Sequence, residues 1–383
     1  MNFSEDIKKD IKNFLSQNIT VGKRDTNSGK WVDEYHKLTD EFASWKKPKR
    51  GRFGIVYEVL NLWDFEKYVV KEIKLNFRAD YTNTRLTRRS HSVQGDSEAT
   101  MDLLMACQES VLQSSDELKH ENIVRVHDAW IEQPEGRESE DERDRVDPEA
   151  LIEFINDETQ LTDRIRRNLR LAKGLQFFIV MDFFNEDLKE RYQRDPAPSR
   201  QETTNYIRQI ASALQFIHNK GYVHRDLKPR NIFVSEDKKL ALGDFGLCKR
   251  IAEGDGDHGS AGTPPYNTAP DYLLTSKWDI WSLGVIIYEL FYISESDPPP
   301  NEHKLDMEIT KLVEYGRTNR QQDLSKQVGL KVRQKSLKKL AIQCLQPVES
   351  RCTADSVVAK LQPSDSIPTV VEFMDDDGDS ACT

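Results

Sequence analysis

The chain has 383 residues and is 37% hydrophobic, which suffices for two ordinary domains or one large two-lobed domain. Its net charge of −10 argues against a general polyanion binder, and the sequence indicates no direct nucleic-acid site. The charged start and the lack of any run of about 18 apolar residues predict neither secretion nor a membrane span, and five scattered cysteines predict reduced thiols in a cytoplasmic or nuclear setting.

The two ends of the chain differ from its middle. Residues 1–38 form a polar leader with one weak amphipathic pattern, which predicts a short surface helix from Ile7, Ile11, Phe14 and Leu15. The last stretch, 363–383, contains "MDDDGD" and is expected to be an acidic disordered tail. Between them, residues 39–184 are rich in strand patterns and residues 185–362 in helix patterns.

The first region predicts a small antiparallel sheet with one helix. "FGIVYEVLNLW" and "KYVVKEIKL" alternate as strands do and are separated by a turn at Asp64. A polar insertion, 76–97, precedes "SEATMDLLMACQESVLQ", in which apolar residues recur at helical spacing. Two further strands, "NIVRVHDAWIE" and "LQFFIVMDFF", flank an acidic insertion, 132–174. Its first part, 132–150, is typical of a solvated segment that either keeps the lobe soluble or docks a basic partner.

The second region predicts helices. "TTNYIRQIASALQFIHNKG" is strongly amphipathic and is expected to end at Gly221. "WDIWSLGVIIYELFY" is apolar on nearly all sides, as in a helix buried at the centre of a lobe. The fold class is therefore α+β, with a small β lobe and a larger, mainly helical lobe.

The strongest chemical signal is "YVHRDLKPRNIFV", residues 222–234. On a short loop between a helix and a strand, Asp226 can orient an attacking hydroxyl and receive its proton. Lys228 can neutralise a γ-phosphate, and Asn231 can hold Mg²⁺. The alternative is a polar turn in which the aspartate caps and the lysine is solvated. The number of matching positions favours phosphoryl transfer.

A second motif, "LALGDFGLCK" (240–249), follows one short hairpin later. Asp244 offers hard oxygen ligands for Mg²⁺, and Gly246 permits a backbone turn. Upstream, "VVK" places Lys71 on the second strand of the first hairpin, where it can reach nucleotide phosphates. A glutamate of the following helix is its expected partner, and Glu109 fits best because it lies on the apolar face of that helix.

"KPKRGRFGIVYE" is ambiguous alone, because two glycines three apart occur both in phosphate loops and in basic hairpins. Together with the other motifs it completes a pattern that resembles the protein-kinase signature over about residues 40–362. Gly51 and Gly54 match the second and third glycines of that pattern, and Lys49 replaces the first. The resemblance implies the two-lobed protein-kinase fold with ATP and Mg²⁺ as cofactors.

Further roles follow from this resemblance. "MDFF" resembles a hinge, where adenine would bond to the backbone of Asp182 and Phe184 beside Met181, with Val56 covering the ring. "GTPPYNTAPD", "DIWSLG" and "PVESRCTA" resemble later kinase segments. They imply that Asp279 braces the catalytic loop and that Arg351 pairs with Asp271, a position where the family usually has glutamate.

Within the kinases, the chain resembles the translation-initiation-factor-2α kinases. The marks are the turn at Asp64, the "AWIE" strand and the charged insertion after it. This resemblance implies a protein substrate with a Ser or Thr hydroxyl, initiation factor 2α as that substrate, and control of protein synthesis; it leaves a homodimer open. The alternatives are a Wee-type cell-cycle kinase, which shares the "AW" strand, and a pseudokinase that serves as an interaction module.

Regulation is expected at the activation segment. Arg225, Lys249 and Arg250 form a basic cluster that a phosphate on Ser260 or Thr263 would hold together. Thr263 has an equally good structural interpretation, in which its hydroxyl bonds to Asp226.

Overall fold

A computed structural model of the chain describes residues 9–11, 13–14, 23–24, 31–32, 38, 41–44, 46–51, 54–75, 94–132, 146–147, 150, 153, 162, 164–165, 167–168, 172, 175–251, 262–267, 274–296 and 300–361. Ser260, Asp271 and the predicted acidic tail, 363–383, lie outside these residues. Within them, no helix is long and apolar enough to cross a membrane.

The alternating stretches of the first region form a six-stranded antiparallel sheet. The strands are β3 (Phe42–Ser44), β4 (Lys49–Gly51), β5 (Gly54–Asn61), β6 (Lys67–Leu75), β7 (Val126–Glu132) and β8 (Leu175–Asp182). Their order in the sheet is β3-β5-β6-β8-β7, and β4 also pairs with β5. A separate pair, β1 (Lys23–Arg24) and β2 (Trp31–Val32), precedes the sheet.

The predicted turn at Asp64 joins β5 to β6. Asn61 Oδ1 accepts a hydrogen bond from the Trp63 N–H at 2.7 Å, and Asp64 Oδ1 accepts one from the Glu66 N–H at 2.9 Å. Asp64 Oδ2 also accepts a hydrogen bond from the Tyr68 hydroxyl at 2.9 Å. These side-chain hydrogen bonds add to the backbone bonds between Asn61 and Phe65 and between Asn61 and Glu66, which explains why Asn and Asp occupy the turn.

One helix packs on the inner face of the sheet. Helix α1 (Gln94–Ser114) begins inside the stretch predicted as a polar insertion, 76–97. Leu103 and Cys107 of α1 are fully buried against Phe177 and Ile179 of β8. The leader contributes as well, because Ile11 is buried in the same cluster and the Phe14 ring stacks on Phe177 at 5.6 Å.

The segment between β7 and β8 is more than a solvated insertion. Its described residues Val146, Ala150, Ile165 and Ala172 are all buried in the core beneath the sheet. The expectation of a solvated segment over 132–150 was therefore wrong for Val146 and Ala150. On the opposite face of the sheet, the Trp130 ring stacks on Phe178 at 5.1 Å.

The second lobe is built mainly from helices. They are α2 (Leu188–Gln193), α3 (Arg200–Asn219), α4 (Lys277–Ser294), α5 (Glu302–Arg317), α6 (Gln321–Lys331), α7 (Lys335–Cys344) and α8 (Ala354–Leu361). Short strand β9 (Glu186–Asp187) precedes α2, and four more lie between α3 and α4: β10 (Tyr222–Val223), β11 (Ile232–Val234), β12 (Leu240–Leu242) and β13 (Lys249–Arg250). Every residue of α4 from Trp278 to Ile293 is buried, as the nearly all-apolar pattern predicted.

Helix α3 has a capped start and ends just before Gly221, as its sequence predicts. The Ser199 side chain caps it by accepting a hydrogen bond from the Glu202 N–H. Beyond its end, Gly221 adopts a φ of 80°, a left-handed conformation that costs glycine little. The chain thus leaves the helix directly into β10 and the loop that carries the candidate catalytic residues.

Candidate active site

The loop after β10 is fixed by a carboxylate from the buried helix α4. Asp279 accepts hydrogen bonds from the backbone N–H groups of His224 and Arg225, both at 2.9 Å, and lies 2.8 Å from His218 Nε2. Burial alone would raise the pKa of the Asp279 carboxyl, but the hydrogen bond and charge of His218 lower the pKa below its usual value. Arg225 is held at a φ of 71°. Asp279 therefore braces this loop in a conformation that non-glycine residues rarely adopt.

Three predicted residues of the loop meet at the carboxylate of Asp226. Asp226 Oδ2 accepts hydrogen bonds from Lys228 Nζ at 2.5 Å and from Asn231 Nδ2 at 3.0 Å. Asn231 Nδ2 also lies 2.9 Å from the Asp226 backbone carbonyl. The other oxygen, Oδ1, is buried and has no hydrogen-bond partner within the described part of the chain. A buried acceptor without a partner is costly, so this atom is a ready binding point for an incoming donor.

Thr263 contacts this group through the lysine. Its Oγ1 accepts a hydrogen bond from Lys228 Nζ at 2.8 Å, so Lys228 bridges Thr263 and Asp226. The structural interpretation of Thr263 anticipated a direct bond to Asp226, whereas in the structure the contact runs through Lys228. Ser260, the other predicted phosphorylation site, lies outside the described residues.

Asp244 lies beside the same loop because the two segments share backbone contacts. The Gly243 N–H donates to the Asn231 carbonyl at 2.9 Å, and the His224 ring contacts the Gly243 carbonyl at 2.9 Å. Asp244 itself has a φ of 63° and precedes a short 3₁₀ turn, Phe245–Leu247. The left-handed backbone turns the chain sharply at the residue predicted to bind metal.

Lys71 joins this group from the sheet. Its Nζ lies 2.7 Å from Glu109 Oε2 on helix α1 and 3.9 Å from Asp244 Oδ1. Burial alone would lower the pKa of the Lys71 ammonium, but the negative charges of Glu109 and Asp244 raise the pKa above its usual value. The ammonium therefore stays charged. Of the helical glutamates, the structure brings Glu109 to Lys71, the pairing that the apolar-face argument predicted.

The glycine loop is a tight hairpin between β4 and β5, in which Gly51 pairs with Gly54. Gly54 has a φ of 150°, and a Cβ there would lie 1.9 Å from the Glu72 carbonyl oxygen. Lys49, in place of the family's first glycine, pairs with Val56 and lies 3.7 Å from Glu58. Gly54 is thus required on steric grounds.

A cleft of about 960 Å³ lies between the two lobes. It is lined by predicted nucleotide-binding and catalytic residues, namely Val56, Met181, Asp182, Phe184, Lys228, Asn231, Asp244 and Thr263. Other lining residues, among them Val69 and Phe233, were not predicted. Strand periodicity could have found Val69, since it precedes Lys71 by two residues on the same face. Phe233 follows Asn231 by two residues, and its ring lies 6.1 Å from that of Phe184.

The predicted hinge has open backbone groups at Phe184, whereas the N–H of Asp182 is occupied. The Asp182 N–H donates to the Arg125 carbonyl at 3.1 Å, and its carboxylate accepts from the Arg125 N–H at 2.9 Å. In contrast, the backbone N–H and carbonyl of Phe184 have no hydrogen-bond partner among the described residues. A donor and an acceptor on one residue at the cleft wall suit the edge of a purine ring.

The donor set fits Mg²⁺ bound together with phosphate. In the described part of the chain, no group of three His, Cys, Asp or Glu could hold a metal ion. Asp244 contributes a carboxylate, and Asn231 commits its amide nitrogen to Asp226, which leaves its oxygen as a ligand. Mg²⁺ is commonly held by one or two such oxygens together with substrate phosphates.

Arg351, the late arginine of the resemblance, is tied to the start of helix α4. Its Nη1 donates to the Lys277 carbonyl at 3.0 Å and its Nε to the Gln346 carbonyl at 2.9 Å. Its predicted partner Asp271 lies outside the described residues.

Comparisons with known proteins agree with this geometry. A family model described as "Protein kinase domain" matches residues 47–361. The chain is 29% identical over 279 residues to "Probable serine/threonine-protein kinase nek2" of Dictyostelium discoideum, an alignment that covers 70% of this chain and 52% of that protein. It is 26% identical over 290 residues to the interferon-induced, double-stranded RNA-activated protein kinase of Mus musculus, covering 73% and 45%.

A shorter match, 43% identical over 99 residues, links the chain to the maternal embryonic leucine zipper kinase of Danio rerio and covers 24% and 14%. The chain therefore spans about half the length, or less, of the curated relatives it matches.

Proposed function

The chain belongs to the protein kinase family, and we propose that it transfers the γ-phosphate of ATP to a serine or threonine hydroxyl of a protein substrate. The observation that carries this proposal is the pair of oxygens on Asp226. One oxygen is held by Lys228 and Asn231, while the buried Oδ1 has no partner within the described residues. A substrate hydroxyl that donates to Oδ1 would be oriented for attack and would pass its proton to the same carboxylate.

The remaining residues take roles that their positions support. Lys71 is charged and fixed by Glu109, so it can orient phosphate oxygens. Lys228 is already bound to Asp226 and can stabilise negative charge that develops beside that carboxylate. Asp244 and Asn231 would hold Mg²⁺, which when bound neutralises charge on the phosphates. Phe184 offers its backbone to the adenine, with Val56 from the sheet and Phe233 from the other lobe lining the same cleft.

The enzymatic role is tested with Asp226→Asn. Wild type with Mg-ATP should phosphorylate a Ser/Thr protein substrate, whereas the variant should be inert because its amide is not a proton acceptor at neutral pH. Asp237→Asn is a matched control, since Asp237 is an exposed aspartate whose carboxylate lies 3.0 Å from Lys239 in the turn between β11 and β12. Equal activity of Asp226→Asn and wild type would refute the assignment.

The pseudokinase alternative predicts nucleotide binding without turnover. A thermal shift with ATP, measured with and without Mg²⁺, reports binding to the folded state separately from chemistry. Two contacts favour an enzyme, namely that of Lys71 with Glu109 and that of Lys228 with Asp226. A binding module has no need of a catalytic base held in position, as Asp226 is.

For the substrate, we propose translation initiation factor 2α and hence a role in the control of protein synthesis. The support is the family resemblance at the Asp64 turn and at Trp130. Both residues also have a structural role in the sheet. The Asp64 carboxylate organises the β5–β6 turn, and the Trp130 ring packs on the sheet. Incubation with that factor, followed by mapping of the phosphate, tests the proposal. Modification of a general Ser/Thr substrate without modification of the factor would contradict it and leave the kinase assignment intact.

A further inference from the structure

One buried glutamine connects helix α1 to the turn after Asp244. Gln108 is 1% exposed, and its Nε2 lies 2.9 Å from the Phe245 carbonyl, 3.1 Å from that of Gly246 and 2.7 Å from that of Cys248. Three carbonyl oxygens around one atom identify it as the amide nitrogen, since an oxygen there would face only other acceptors. With two hydrogens for three acceptors, at least one hydrogen is shared.

The turn lies directly on the helix at this point. A Cβ on Gly246 would lie 3.1 Å from Met105 Cβ and 3.3 Å from the Met105 carbonyl oxygen, so the contact leaves little room for a side chain. The turn carbonyls are buried under α1 and need donors, which the turn itself supplies only in part through the Cys248 N–H to Phe245 bond. Gln108 supplies the rest.

The position of Gln108 in the sequence gives this contact its functional meaning. The next residue, Glu109, holds Lys71, and the turn that Gln108 binds begins directly after Asp244. One turn of helix α1 therefore sets the position of the phosphate-directed lysine and of the metal-directed aspartate together. A shift of α1 would disturb both residues.

We infer that Gln108 is a positioning residue for phosphoryl transfer, which holds Asp244 in register with Lys71 through uncharged hydrogen bonds to the backbone. The inference rests on the proposed function. Because the acceptors are neutral carbonyls, this link does not require a phosphate on the activation segment. It keeps α1 and the Asp244 turn together in the unphosphorylated chain.

A second glutamine of the same helix provides a matched control. Gln113 is 3% exposed, and its Nε2 donates to a single backbone carbonyl, that of Val124, at 2.7 Å. Gln108→Met and Gln113→Met each replace the amide by an apolar side chain of similar length inside one helix. Both variants lose buried hydrogen bonds, but only the first loses contact with the turn after Asp244.

We expect Gln108→Met to lower kcat by about tenfold or more, with KM for ATP changed less than about threefold, because Asp244 acts mainly on the transition state. Gln113→Met should stay within about threefold of wild type in both constants when assayed below its own unfolding temperature. Should Gln108→Met fail to fold, Gln108→Asn and Gln113→Asn carry the same comparison, since each keeps the amide and shortens the side chain by one methylene.

A second readout does not depend on turnover. Hydrogen exchange of residues 245–248 in the full chain without nucleotide should be faster in Gln108→Met than in wild type and unchanged in Gln113→Met. Equal effects of the two variants on kcat or on this exchange would overturn the inference. A wild type that binds ATP but transfers no phosphate would instead refute the proposed function, and the exchange comparison would still decide the role of Gln108.

Discussion

Replacing Asp279 by asparagine removes the charge that fixes the catalytic loop while keeping the shape of the side chain. Asp279 is fully buried and accepts from the backbone of His224 and Arg225 and from His218. Asparagine has one acceptor oxygen, so its NH₂ group must face a donor. Hydrogen bonds to charged groups contribute about 1.5–3 kcal/mol each, and we therefore expect the free energy of unfolding to fall by about 3 kcal/mol.

The loop that Asp279 braces also positions Asp226, so kcat should fall about a hundredfold, the usual cost of a displacement near 1 Å at a catalytic group. Urea unfolding followed by tryptophan fluorescence measures the first effect, and steady-state kinetics the second. Asp323→Asn is the control, because Asp323 is only half-buried and its ion pair with Arg320 should contribute less than about 1 kcal/mol.

The pH dependence of the same effect has a definite sign. Because the pKa of Asp279 is lowered in the folded chain, its charge-dependent stabilisation is present above the unfolded pKa and is lost as pH falls through the folded pKa. The stability difference between wild type and Asp279→Asn should therefore be larger at pH 7 than at about pH 3. Wild-type stability and kcat in Asp279→Asn at neutral pH would refute the bracing role.

Three further outcomes follow from single residues. Gly54→Ala should lower the free energy of unfolding by about 3 kcal/mol, since its Cβ would meet the Glu72 carbonyl oxygen at 1.9 Å and its φ is 150°. Gly329→Ala in helix α6 should instead be neutral or stabilise the fold by up to about 1 kcal/mol, because the new Cβ meets only the flexible end of Lys338. Equal urea midpoints for Gly54→Ala and Gly329→Ala would contradict this reasoning. The hydrogen bond with Cys344 lowers the pKa of Cys352 to about 7. Alkylation of Cys352 by iodoacetamide, measured by peptide mass spectrometry, should therefore rise with pH with a midpoint near 7. A midpoint near the ordinary thiol value of 9 would contradict the lowered pKa. Cys344 is buried with a raised pKa and should stay unmodified in the folded chain.

The parts of the site that are close in sequence were the most predictable. Asp226, Lys228 and Asn231 lie within six residues on one loop, so their joint geometry is set locally, and their types already specify the chemistry. Lys71 and Glu109 are 38 residues apart, yet the helical face pattern selected the glutamate that the structure places at 2.7 Å. The two-lobed protein-kinase fold was implied by the resemblance of these motifs to the kinase signature and is confirmed.

Contacts between distant segments left weaker signals. The insertion between β7 and β8 is dominated by charge, but a few apolar side chains such as Val146 and Ile165 suffice to anchor it under the sheet. Gln108 looks like an ordinary helical polar residue, and only the tertiary structure shows that it faces three carbonyl groups. The composition of a segment is an average over all its residues, whereas burial is decided by the contacts of each residue separately.

The unusual glycine loop is explained by the different demands on its positions. Gly54 cannot be replaced without displacing the backbone of β6, because its missing Cβ faces a carbonyl oxygen. Lys49 pairs with Val56 in regular antiparallel register, and its φ is not positive. Its Nζ lies 3.7 Å from Glu58 Oε1. A lysine at this position therefore causes no backbone strain, and its charge is balanced by a carboxylate that lines the cleft. The chain has glycine where sterics require it and lysine where this hairpin needs no glycine. The loop is therefore compatible with nucleotide binding and gives the pseudokinase alternative little support.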